Sequence, residues 1–301
     1  MHGGRRPRSF YFLAAFFALF VAFLYGPMMT IFILSFQGPQ GGLTFPMNGA
    51  STFWFSKLME GVGVVDIWSA FRRSIRLGLV VMVVTVVFSV AAGLAYRTRF
   101  RGDGVLFYIV VSSLIVPSIV VSLGIGLGFR LLDELVMAYG EAREIVWIVE
   151  EFTTTMGIFT SAIGAHLTWT LPFGLLIMFA VFNRFDKAHE EAARDLGASG
   201  WQTVRHVVLP IIAPSLIGVA LFGFTLSYDE LARSSQAAGD LNTLPLELQG
   251  LTTTVTTPEI YALGTLTTAV SFAVIFISLA VVMVLQRRRA RHGSDAGAGM
   301  V

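Results

Sequence analysis

The sequence predicts an all-α membrane protein with six transmembrane helices, on three observations. Apolar residues fill 55% of the 301 positions and charged residues only 13%, about half the charge of a soluble domain. Mean hydropathy is +0.73. The apolar residues also gather into six stretches, Phe10–Phe36, Leu77–Tyr96, Val105–Phe129, Phe159–Phe182, Val207–Leu226 and Leu263–Leu285. Each is long enough to cross a hydrocarbon core of about 30 Å. Polar segments with turn and cap residues separate them: Gly38-Pro39, Gly102-Asp103-Gly104, Asp133, Asn183 and Pro258. Cysteine is absent, which excludes disulfides, Cys-ligated zinc and thiol nucleophiles. A net charge of +2 gives no footprint for nucleic acid.

The first stretch follows Arg5, Arg6 and Arg8, in the manner of a secretory signal. Its length corresponds to about 40 Å of helix at about 1.5 Å per residue, more than a signal's apolar region, so it is expected to remain as an anchoring first span. Arg72, Arg73 and Arg76 precede the second stretch, with Arg72 and Arg76 on one helix face. They suit snorkelling anchors or a contact for an acidic partner. In the third stretch, Gly124-x-Gly126-x-Gly128 follows no strand, so it predicts close packing, with bending near Pro117, and no nucleotide loop. Asp133–Phe152 is expected to lie as an amphipathic helix on the outer face, with Leu135, Val136, Tyr139, Ile145 and Trp147 toward lipid. The fourth stretch carries His166, Trp169 and Pro172. His189 and His206 have no companions at metal-ligand spacing. The chain therefore divides into an N-terminal tail (1–8), a membrane domain (9–286) and a C-terminal tail (287–301), with disorder expected at Met1–Arg8 and His292–Val301.

Orientation follows from the basic residues. With the N-terminus inside, fourteen of the 21 Lys and Arg residues face the cytoplasm. Seven lie outside: Lys57, Arg72, Arg73, Arg76, Arg130, Arg143 and Arg233. This satisfies the positive-inside rule and places both termini in the cytoplasm.

The same count puts the loop at 183–206 inside. Phe185–Leu196 reads as a short helix that Asp186 can cap, with Glu190 and Glu191 in its first turn and Gly197 ending it. Ala192 and Ala193 keep its surface small. A second segment, Trp201–His206, leads to Leu209-Pro210, where proline is tolerable in a first helical turn. The string Glu191-Ala192-Ala193, three residues, Gly197, nine residues, Val207-x-Leu209-Pro210 resembles the EAA loop of ABC-importer permeases; Val207 stands where that loop has Ile. The resemblance implies a type I ABC importer permease fold with a cytoplasmic coupling helix, in a bacterial inner membrane. It also implies that Glu191, Ala192, Ala193, Asp195, Gly197, Leu209 and Pro210 serve coupling to an ATPase dimer. The chain has no Gly-x-x-x-x-Gly-Lys-Ser/Thr loop, so ATP and magnesium are expected on that partner and no cofactor on this chain. A second, different permease subunit and an extracytoplasmic binding protein complete the expected assembly.

Over residues 68–285 the likeness narrows to spermidine/putrescine permeases. It rests on Ala165-His166-Leu167-Thr168 before Leu171-Pro172-Phe173, on Phe224-Thr225-Leu226-Ser227-Tyr228-Asp229-Glu230, on Asn242-Thr243-Leu244-Pro245-Leu246 and on Thr257-Pro258-Glu259-Ile260-Tyr261-Ala262. Arg73-Ser74 departs from the expected Asn-Ser. A polycation path needs carboxylates and aromatic faces, which makes Tyr228, Asp229, Glu230, Trp169 and His166 the path candidates. Acids at a helix C-terminus oppose the macrodipole, which favours a purpose for Asp229 and Glu230 beyond stability. Neutral His166 bonded to backbone is the plainer alternative. Other small cargo (an iron chelate, a sugar, an opine-like compound) and an ion-gradient carrier using His166, Asp229 or Glu230 are the competing readings.

Overall fold

A computed structural model describes residues 7–61, 66–254 and 257–297; Arg5 and Arg6 lie outside them. In chain order the helices are α1 (Arg8–Leu34), α2 (Phe53–Glu60), α3 (Ile67–Ala95), α4 (Asp103–Ser112), α5 (Ser118–Ala142), α6 (Val146–Glu151), α7 (Ser161–Asn183), α8 (Ala188–Asp195), α9 (Gly200–Thr203), a π-helical turn (Val204–Val208), α10 (Leu209–Tyr228), α11 (Leu244–Thr254) and α12 (Glu259–Gly297). Among the described residues, five helical runs are long and apolar enough to cross a membrane: Arg8–Leu34, Ile67–Ala95, Ser161–Asn183, Gly200–Tyr228 and Glu259–Val281.

The third expected span is not one helix. Ser113–Pro117 interrupts it and leaves ten-residue α4 ahead of α5. Pro117 supplies no N–H and disfavours helical geometry in the residue before it. Ser113 Oγ lies within bonding distance of two carbonyls, Val110 (2.7 Å) and Thr168 (2.6 Å), so the break is tied to α7. The expected outer amphipathic helix is also corrected. Its first part simply continues α5 to Ala142, and only Val146–Glu151 forms a separate turn, folded back where Gly140 meets Ile148. Asp133 anchors the chain beyond that turn. It accepts from Thr154 Oγ1 (2.6 Å), Thr155 N–H (2.7 Å) and Thr155 Oγ1 (2.5 Å). Burial works to raise this carboxyl, but these donors prevail and hold it below its ordinary range. The last helix runs through Gly297, into the stretch read from sequence as a disordered tail.

The chain forms two compact units. One comprises Met1–Asp66 and Leu248–Ser271. Its centre is buried Gln37, which accepts from Asn48 N–H (2.7 Å) and donates to the carbonyls of Gly42 (3.2 Å) and Thr44 (3.4 Å). Lys57 pairs with Glu259 at 2.7 Å, and Tyr261 donates to the carbonyl of Leu43 at 2.8 Å.

The other unit comprises Ile67–Glu247 and Phe272–Val301. Here α3, α7 and α10 pack through small residues, as helices do where lipid supplies no hydrophobic drive. A Cβ on Gly78 would press on the Phe224 ring at 3.2 Å, and one on Gly223 on the Met82 backbone at 3.1 Å. Thr85 and Thr170 share a buried hydrogen bond of 2.7 Å across α3 and α7. Leu77, Val81, Ile158, Ala162 and Ala238 fill one part of the core, and Met178, Val208, Ile212 and Val219 another.

Of the three glycines in the Gly124-x-Gly126-x-Gly128 run, only Gly126 makes a close approach, and it meets a loop, not a helix. A Cβ there would overlap the carbonyl oxygen of Gln236, whereas Gly124 and Gly128 face open space. Gly126→Ala is therefore expected to cost about 1–3 kcal/mol by overpacking, while Gly124→Ala stays within about 0.5 kcal/mol of wild type. Thermal unfolding of the detergent-solubilised protein checks this; equal midpoints for the two variants would refute it.

Candidate functional site

Two parts of the second unit stand out. The first is the stub formed by α8 and α9. Asp186 Oδ1 accepts from Ala188 N–H at 3.0 Å, a local turn that closes the start of α8 from one residue ahead of Lys187. At the other end Gly197 adopts φ +84°, Gly197 N–H donates to Arg194 (2.8 Å) and Ala198 N–H to Ala193 (3.0 Å). This is the Schellman pattern, which needs a left-handed residue that only glycine adopts without strain. Ser199 and Gln202 then form a reciprocal capping box that starts α9. Pro210 sits in the first turn of α10, as expected. The helical run itself begins at Gly200, and the wider π turn at Val204–Val208 precedes the proline. Such a turn relieves the clash a proline ring makes with the carbonyl four residues back. The stub thus continues into α10 without a hinge.

A second connection runs sideways. The Arg97 guanidinium, just beyond α3, pairs with Glu190, and Arg194 approaches the same carboxylate at 3.8 Å. Arg97 also lies 5.1 Å from the Phe182 ring centre and 5.2 Å from that of Phe185. A recess of about 330 Å³ beside it is lined by Tyr96, Arg97, Phe179, Phe182, Asn183 and Lys187, among others. One ion pair therefore joins the ends of α3 and α7 to α8. The candidates Glu191, Ala192, Asp195 and Gly197 are exposed, Ala193 and Leu209 half-buried, and Pro210 exposed. Leu196 is 90% exposed and Trp201 67%; the sequence reading did not single out this apolar pair as part of the surface.

The second part lies where α10 ends. The helix stops at Tyr228, and Glu230–Asp240 folds as turns among α3, α5 and α7 instead of leaving the bundle. Arg233, Ser234, Ala237 and Ala238 within it are buried. The Arg233 side chain, which the charge count assigned to the outer side, is thus enclosed by protein rather than turned to solvent. Ser122 Oγ donates to the Arg233 carbonyl (2.8 Å) and Ser161 Oγ to that of Ala237 (2.6 Å). The Arg233 side chain donates to Thr168 Oγ1 (3.1 Å) and Ser118 Oγ (2.7 Å), lies 3.6 Å from a Glu230 oxygen and stands 4.6 Å from the Trp169 ring centre.

His166 joins the same cluster, bonded to hydroxyls rather than to backbone. Ser234 Oγ spends its proton on the Glu230 carbonyl (2.7 Å), so it accepts from His166 Nε2–H at 3.0 Å. In a neutral ring Nδ1 then accepts from Ser227 Oγ at 2.8 Å, which selects one tautomer. His166, Trp169 and Glu230 thus converge on one segment. Tyr228 is buried and stacks on Phe224 with rings 5.5 Å apart. Asp229 remains exposed, yet the protein around it disfavours charge and Glu230 adds repulsion, and both push its carboxyl above the ordinary range. At the start of α3, Arg73 donates to the Asn242 carbonyl (2.8 Å) and Ser74 accepts from Leu244 N–H (2.8 Å). The Arg73-Ser74 departure therefore has a structural use. Nothing in the sequence marked Arg233 as internal, although its small neighbours Ala232, Ser234, Ser235, Ala237, Ala238 and Gly239 are what a buried loop requires.

A helical bundle with broken spans, a loop folded back into its interior and a rigid exposed stub between two spans defines a membrane-transport permease subunit. Residues 85–292 match the binding-protein-dependent transport system inner membrane component family, and the chain belongs to it. The chain is 30% identical over 275 residues to the spermidine/putrescine transport system permease protein PotC of Haemophilus influenzae, covering 89% of this chain and 95% of that one. To the putrescine transport system permease protein PotI of Escherichia coli it is 28% identical over 286 residues, 92% of each. Its fold is similar to that of a chain in a bacterial alginate ABC transporter crystallised with an alginate pentasaccharide-bound periplasmic protein, with TM-score 0.55, 17% identity and coverage of 94% and 93%. The all-α type I importer fold and the role of ABC-importer permease stand on these findings, and the ion-gradient carrier is set aside.

The bridge at Arg97 gives a direct test. In a double-mutant cycle, Arg97→Ala and Glu190→Ala should couple by about 0.5–3 kcal/mol. With both side chains largely covered, at 16% and 12% exposure, salt should weaken that coupling little. Additive losses in thermal stability would refute the bridge.

Proposed function

We propose that this permease imports a small polycation of the putrescine or spermidine type, handed over by an extracytoplasmic binding protein and driven by a cytoplasmic ATPase dimer that grips α8. The observation that carries the cargo class is the end-to-end likeness to spermidine/putrescine permeases, 95% of the Haemophilus chain being covered. The chemistry is consistent with it: Tyr228 and exposed Asp229 end α10 together, and Trp169 lies with Glu230 around the Arg233 segment. A cation stripped of water needs carboxylates and aromatic faces of this kind. Both ends of the chain lie in the cytoplasm in this reading, which leaves seven outer cations against fourteen inner ones.

The coupling role rests on the shape of the stub. Ala192 and exposed Leu196 offer a small apolar tip that another protein's groove can enclose, and Glu191 and Asp195 flank it. A load applied there passes to α10 through α9 and the π turn, and to α3 and α7 through Arg97. ATP and magnesium belong to the ATPase in this scheme. A second permease subunit completes the central path.

Reconstitution with the binding protein, the second permease and the ATPases in proteoliposomes tests the reading. Putrescine uptake should require ATP and all partners; affinity of the binding protein for a neutral sugar or an iron chelate, and not for a polyamine, would overturn the cargo. Glu191→Lys and Gly197→Asp should leave assembly intact yet lower uptake about tenfold or more, equivalent to about 1.4 kcal/mol of lost coupling; undiminished uptake in both would remove α8 from the drive. Asp229→Asn should raise the KM for polycations more than for any neutral solute carried, and equal effects would take it out of the path.

A further inference from the structure

We propose that Arg233 is a tethered counter-cation: while the path is empty its guanidinium occupies the Glu230 carboxylate and the Trp169 face, and cationic cargo displaces it to open the way. The proposal rests on the polycation reading above and identifies a positioning residue that reading does not contain.

The surroundings of Arg233 are those a cationic cargo would need. A carboxylate oxygen lies 3.6 Å from Nη1, an indole ring centre 4.6 Å from the guanidinium carbon, and hydroxyls of Ser118 and Thr168 accept from Nη1 and Nε. The side chain is fully buried, and its Nη2 has no hydrogen-bond partner among the described residues. A buried cation left one donor short is held by its surroundings less tightly than a fully paired one. It can be exchanged for another cation at small net cost, because the incoming charge takes over the same carboxylate and the same aromatic face. The exchange also has a mechanical consequence. Ser118 belongs to α5, Thr168 and Trp169 to α7, and Glu230 to the turn after α10. Withdrawing one side chain removes a tie shared by all three, while those of Ser122, Ser161 and His166 stay in place. The backbone of the same residue, held by Ser122 and by Glu230 Oε1 at 3.0 Å, is the pivot that remains.

The test uses the complete reconstituted importer and reads ATP hydrolysis with neither binding protein nor cargo present, so it does not depend on which solute is carried. Arg233→Ala should raise this basal hydrolysis about fivefold, the low end of an energetic coupling. Guanidinium ion at millimolar concentration should return it toward wild type by refilling the vacated place. Wild-type hydrolysis in Arg233→Ala would overturn the proposal, and so would a rise that guanidinium does not reverse, which would mark a packing residue only. Should Arg233→Ala fail to assemble, Glu230→Gln removes the other half of the pair. It should raise basal hydrolysis without any response to guanidinium, and unchanged hydrolysis there would equally overturn the proposal. Failure of the cargo reading would appear elsewhere, as a binding protein that ignores polyamines.

Discussion

Every backbone N–H and C=O inside a bilayer must find its partner within the protein, because hydrocarbon offers none. That constraint governs each departure from plain helix in this chain. The break at Ser113–Pro117 is closed by Ser113, which reaches the carbonyls of Val110 and Thr168. The turns after α10 are closed by Ser122 and Ser161, each within bonding distance of a segment carbonyl, with Ser122 also accepting from Gln236 N–H at 3.2 Å. Where Pro210 removes a donor, the helix widens into a π turn instead of breaking. Ser113, Ser122 and Ser161 thus serve the places where the backbone leaves the helix.

The same accounting makes the α8 stub stiff. A short helix in water is marginal on its own, since nucleation is costly and few bonds follow. Here both ends are closed, by Asp186 and by the Gly197 turn, and the next helix starts in its own capping box three residues later. Arg97 then fixes the first turn of α8 to the ends of α3 and α7. A lever needs attachment at more than one point to turn a push into rotation rather than bending. Continuity into α10 and the lateral ion pair supply two.

What the sequence disclosed and what it hid separate along one line, the distance in the chain between interacting residues. The stub was legible because its determinants are local: Asp186, Gly197 and Pro210 act within a few positions, whereas the tie from Glu190 to distant Arg97 was not. The apolar spans were legible for the same reason, but of the three glycines read as packing helix on helix only Gly126 makes a close approach, and to a loop. The role of Arg233 was not legible, because its partners Thr168 and Ser118 lie 65 and 115 positions away. Read alone, an arginine after a span suggests an outer loop. The α4–α5 break was half visible: Pro117 announces a bend, but the tie from Ser113 to α7 that supports a full interruption joins residues 55 positions apart. Asp133 looked like one of many outer acids until Thr154 and Thr155 closed on it.

Asp229 and Glu230 illustrate why neighbouring acids of the same type can differ in use. Glu230 is committed: one oxygen accepts from the Arg233 backbone and the other faces its guanidinium, at 13% exposure. Asp229 is exposed, and its charge is disfavoured both by the protein around it and by Glu230. A path that bound a polycation tightly would hold it, since release slows as affinity rises. Asp229, open to solvent, is reached first. In the proposed path it is the first contact, while the Glu230 carboxylate stays shielded by Arg233 until a competing cation reaches it. The order of encounter follows from which of the two acids the arginine has already claimed.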